Sequence, residues 1–60
     1  MEVKFYFTDR NGGNRKKLTM NEVKQRLSAK QIEEAVTAKQ KDTNEEVSYM
    51  TVGGFIVCEI

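Results

Sequence analysis

Sixty residues carry ten basic and nine acidic side chains, a single cysteine, and no histidine, proline or tryptophan. A chain this short buries only about 60% of the surface its unfolded form exposes, so residues 1–60 read as one domain with a thin stability margin and little room for an internal active site. Cys58 alone closes no intramolecular disulfide, and without histidine the usual Cys/His zinc sets cannot be assembled.

No cofactor, metal or small-molecule substrate is therefore expected. No segment approaches the run of about eighteen apolar residues that a membrane span needs, and Met1-Glu2-Val3-Lys4 lacks the features of a secretory signal. The expectation is a cytoplasmic protein with no membrane partner. Net charge is only +1, yet residues 1–30 hold eight basic and three acidic side chains and residues 31–60 hold two basic and six acidic ones. Balances of +5 and −4 make the molecule two-ended electrically.

Val3 to Thr8 alternates apolar and polar residues of aromatic and β-branched type, the pattern of a half-buried strand with Val3, Phe5 and Phe7 facing the core. Asp9-Arg10-Asn11-Gly12-Gly13-Asn14 is rich in residues that tolerate positive φ and predicts a reversal. Arg15 to Leu18 offers a short return strand.

Thr19 followed by Glu22 has the spacing of a capping box, and Ser28 followed by Gln31 repeats it. Met20, Val23 and Leu27 share one helical face. At about 100° per residue an unbroken helix would turn Ile32 half a turn away from Val23. Two helices, at about 20–27 and 29–41, remove the conflict. The second buries Ile32, Ala35 and Val36 and exposes Glu33, Glu34, Lys39 and Lys41.

Asp42-Thr43-Asn44 is turn chemistry, after which the period becomes strand-like on both sides of Gly53-Gly54. A two-residue Gly-Gly turn pairs Val52 with Phe55, Thr51 with Ile56 and Met50 with Val57. One face of the hairpin then carries Val47, Tyr49, Thr51, Ile56, Cys58 and Ile60, and lies against the helices. The other carries Ser48, Met50, Val52, Phe55, Val57 and Glu59. The fold class expected is α+β, a small and mostly antiparallel sheet with both helices on one face. The place of the first strand beside the last or the penultimate one stays open.

Four apolar residues on a face that ought to be solvated are the anomaly of this chain. Contiguous exposed apolar surface marks interfaces, whereas isolated apolar residues do not. Met50, Val52, Phe55 and Val57, extended by Tyr6 if the first strand pairs beside the last, predict a partner-binding surface for a second copy of the chain or another protein. Helices divided between both faces, or a register shifted by one, would abolish it.

Arg10, Arg15, Lys16 and Lys17 surround the first turn and suggest an anion or nucleic-acid contact, with backbone amides forming a concave anion site. Basic residues at a turn more often only solubilise it, so this is the less favoured reading. The chemistry of an enzyme is missing. Cys58 has no histidine beside it and is expected in the core, while Glu33-Glu34 and Glu45-Glu46 are sequence neighbours that do not converge. The expected function is a non-enzymatic, homodimeric interaction module acting as adaptor, regulator or inhibitor, with nucleic-acid binding as the alternative.

Overall fold

A computed structural model describes residues 2–60. The elements run β1 (Lys4–Asp9), β2 (Lys16–Leu18), α1 (Met20–Arg26), α2 (Ala29–Lys41), β3 (Val47–Thr51) and β4 (Gly54–Glu59). One four-stranded sheet has the order β2-β1-β4-β3 with every neighbouring pair antiparallel. The first strand therefore lies beside the last. Both helices pack on one side of the sheet, giving the expected α+β architecture in two layers.

Local chemistry explains the helix boundaries. The Thr19 hydroxyl accepts from the Glu22 amide and the Glu22 carboxylate accepts from the Thr19 amide; Ser28 and Gln31 do the same for α2. Each pair satisfies two amides that have no partner inside the helix. Leu27 and Ser28 are extended, which is the break demanded by the phase of the apolar residues.

The ladders sort the strand residues into inner and outer rows. Leu18, Phe5, Cys58 and Val47 form one inner row across the sheet, and Lys16, Phe7, Ile56 and Tyr49 form the next. Phe5, Leu18, Ile56 and Cys58 are buried with Val23, Leu27 and Ala35 from the helices, and Phe7, Ile32, Val36, Val47 and Tyr49 pack around them. Met20 stays substantially exposed, so α1 contributes Val23 and Leu27 to the core.

Two expectations need correction. The hairpin turns at Val52-Gly53, with Thr51 paired to Gly54 and Met50 to Phe55, and not at Gly53-Gly54. Gly53 has φ +88°, a conformation that glycine adopts without strain. Gly54 belongs to the strand because β1 runs against it: a Cβ there would lie 2.0 Å from the Thr8 carbonyl oxygen. The ladder differs from the expected one by two residues, the repeat of a strand. Each residue therefore keeps its expected face, except that Val52 passes into the turn.

The second correction concerns Lys39, which is buried and not exposed. Its Nζ donates to the carbonyl oxygens of Thr43 (2.8 Å) and Glu45 (2.7 Å), tying the turn after α2 to the helix that precedes it. Two carbonyl acceptors replace the water that the ammonium leaves behind.

Candidate functional site

Among the described residues no helix lies on the outer side of the sheet. Its first row reads Lys17, Tyr6, Val57 and Ser48 across the four strands, its second Thr8, Phe55 and Met50, and at the other end Lys4 pairs with Glu59. These residues alternate with the core set, which is why they share a face. Tyr6, Phe55 and Val57 are half-buried by their neighbours in the sheet, whereas Met50 is 82% exposed. Four of the five residues expected to make the partner surface are thus brought together, on the two central strands and the β3 edge.

Val52 is the exception. It is 99% exposed at the tip of the hairpin and lines a shallow depression with Gln25, Arg26 and Thr51, at the helix side of the molecule. The outer patch is therefore Tyr6, Phe55, Val57 and Met50. Thr8, between Tyr6 and the turn, is buried on the same face and lines a groove there with Arg10, Ser48, Phe55, Val57 and Glu46. Tyr6 and Phe55 sit on adjacent strands two positions out of register, close enough for large side chains to touch.

The four cations of the first turn do not form one cluster. Arg15 lies over the Tyr6 ring, 4.5 Å from its centroid, and pairs with Glu59. Its guanidinium thereby caps one end of the apolar patch through a cation–π contact. Lys17 stands beside Tyr6 on the outer face, while Lys16 points to the inner side, where it faces Glu22 of α1. Arg10 borders the groove at the opposite end of β1. Residues on alternate sides of a strand cannot grip one phosphate together.

Nor is the turn an open anion site. Asp9 fills it: its carboxylate accepts from the amides of Asn11 (2.9 Å) and Gly13 (2.7 Å) and from the Asn14 side chain (3.0 Å), and its carbonyl accepts from the Gly12 amide. The amides that would cradle a phosphate already hold the chain's own carboxylate. The signal for this was visible beforehand, because an Asp at the first position of a turn commonly bonds amides two and more residues ahead.

Cys58 lies in the core, with its thiol 3.9 Å from the Ala35 carbonyl oxygen. Burial is the chief reason its thiol is pushed above the ordinary cysteine range, opposite to what a nucleophile needs. Tyr49 crosses between the layers, its hydroxyl donating to the Gln31 carbonyl oxygen at 3.1 Å. Burial and the nearby Glu34 carboxylate raise its pKa. Among the described residues no buried side-chain polar atom lacks a hydrogen-bond partner, and no helix is long and apolar enough to cross a membrane. Comparison with known proteins finds no matching family model, no matching curated protein and no matching solved structure, so the functional reading rests on this chain's own residues.

Proposed function

We propose that this chain is a small cytosolic protein-interaction module that docks a partner protein through the outer face of its sheet and acts as an adaptor, regulator or inhibitor without chemistry of its own. The observation that carries the reading is the apolar row system formed by Tyr6, Phe55, Val57 and Met50 on a side that no element among the described residues covers. Aromatic residues, methionine and arginine at the centre of a patch, with charges at its margin, are the composition of protein interfaces. Lys4, Lys17, Arg15 and Arg10 outnumber Glu59 and Glu46 around it, which favours a partner whose contact surface is acidic at the rim.

A photoreactive residue in place of Met50 tests this in the native host, with a control in place of the exposed Glu33 on α2. A protein crosslinked from Met50 alone is then purified and its affinity measured. At least a tenfold loss on changing Val57 to Lys, with none on changing Glu33 to Lys, is the expected result. Equal loss from both, or crosslinks from Glu33 only, would remove the outer face as the site.

The nucleic-acid reading keeps one supporting observation. Tyr6 and Phe55 occupy the central strands beside Lys4 and Lys17, an arrangement on which single-stranded bases can stack. Binding of single-stranded oligonucleotides over a salt series decides it. Affinity that falls steeply with salt and again on changing Tyr6 to Ala would replace the protein-docking reading.

A further inference from the structure

The sheet has two edges, and they are built differently. β2 is three residues long, and two of the three are Lys16 and Lys17. Short length and lysines are the usual means of keeping an edge from pairing with another chain, and a second β2 would bring cation against cation. β3 is five residues long, Val47 to Thr51, with no charge, proline or glycine. Among the described residues it pairs only with β4, so one side of its backbone remains free to bond another strand.

Resting on the protein-interaction reading above, we propose that β3 pairs antiparallel with β3 of a second copy of this chain about a two-fold axis at Tyr49, joining two sheets of four strands into one of eight. Tyr49 is the midpoint of the strand. Full overlap places Val47 opposite Thr51 of the second copy, Ser48 opposite its Met50, and Tyr49 opposite its Tyr49. No like charges meet anywhere along this ladder. On the outer face the two exposed Met50 side chains become diagonal neighbours, flanked by the two Phe55 rings, so each copy covers the most exposed strand residue of the other's patch.

The helical layer is compatible with the same axis. The bond from Tyr49 to the Gln31 carbonyl fixes which stretch of α2 stands over the middle of β3. Lys39 holds the turn before β3 at the other end of α2, so helix and strand run in opposite directions. Lys30 and Glu34 lie on either side of Gln31 and share one shallow surface groove with Glu45, just before β3. A two-fold near Gln31 runs the two α2 helices antiparallel, bringing Lys30 of each chain within one helical turn of both Lys30 and Glu34 of the other. A face-to-face pairing of the outer surfaces would instead consume the partner site. Edge pairing leaves two such sites side by side.

Light scattering over a range of concentrations tests the proposal, with circular dichroism to confirm that each variant is folded. Ser48 and Met50 are both exposed, so changing them leaves the core intact. Wild type is expected at twice the 6.9 kDa of one chain. Ser48→Glu with Met50→Glu places carboxylate opposite carboxylate and should fall to the mass of one chain. Ser48→Lys with Met50→Glu places lysine opposite glutamate and should stay at twice that mass, as should Val57→Lys, which alters the outer face away from the edge. A single-chain mass for wild type, a pair of glutamates that leaves the mass doubled, or loss of the doubled mass in Val57→Lys or in the lysine–glutamate variant would each overturn it. Failure of these mass measurements with the Val57-dependent partner affinity intact would sink the edge dimer and leave the docking face standing.

Discussion

The two faces of one sheet differ less in composition than in what lies on them. Phe5, Phe7, Ile56 and Cys58 alternate along β1 and β4 with Tyr6, Phe55 and Val57, and both sets contain aromatic and β-branched residues. Among the described residues only the first set meets helices, and three of its four members, Phe5, Ile56 and Cys58, are buried there. Apolar content alone does not therefore make a core. A second layer does, and the capping boxes that start α1 and α2 are what set that layer in place. An apolar row with no second layer is surface whose burial is still available to a partner.

The largest expected effect sharpens this contrast at neighbouring positions. Ile56→Ala removes a fully buried side chain and should cost about 2–5 kcal/mol, the range for large-to-small changes in a core. For a domain of this size that is a large part of a total of about 3–9 kcal/mol. Val57→Ala, one residue on and facing outward, should cost about 1 kcal/mol, because its half-exposed methyl groups leave water only in part. Urea unfolding of both variants, compared by midpoint at equal slope, measures the difference. Equal costs would mean that the outer face is sealed in the free protein.

A second pair of substitutions makes the comparison with charges. Lys39→Met keeps the aliphatic stem but removes both hydrogen bonds to the Thr43 and Glu45 carbonyls, and should cost about 1–3 kcal/mol. Amide exchange at residues 43–47 should quicken. Arg15→Gln cuts the ion pair with Glu59, whose side chains are 44% and 43% exposed, and should change stability by no more than about 0.5 kcal/mol. The buried lysine is a structural bond, while the ion pair of the arginine on the open face contributes little to the fold.

Local features were legible in the sequence and non-local ones were not. Both capping boxes, the break at Ser28, the strand faces and the core position of Cys58 depend on spacings of two to four residues, and all match the structure. The turn was misplaced by one residue because Gly54 is required by the Thr8 carbonyl of β1, about 45 positions away in the chain and not visible from the hairpin itself. Lys39 reads as a solvated helix residue until the carbonyls of the following turn fold back on it. The basic turn reads as an anion site until Asp9 is seen to occupy its amides. Four of the five outer-face candidates lie on the expected side of the sheet because an error of two residues in register returns each side chain to the same side.

The smallest effect falls on the layer that distinguishes the faces. Hydrogen bonds from the Thr19 backbone amide and side chain hold the Glu22 carboxyl below its ordinary range, with Lys16 and Arg26 adding to the same effect. A carboxylate whose pKa is lower in the folded chain than in the unfolded one stabilises the fold above the unfolded value, and that contribution fades as pH falls through the folded value. Stability should therefore decline below the normal glutamate range as the box at the start of α1 loses its anion. Glu22→Gln keeps an acceptor at the same place without a titrating charge, so its urea midpoint should fall less between neutral and acidic pH than that of wild type. Ser28 and Gln31 already make the equivalent box without a titratable group, which predicts that amide protection at the start of α2 is insensitive to the same pH change. Parallel loss of protection in both helices would place the acid sensitivity in the sheet and not in the caps.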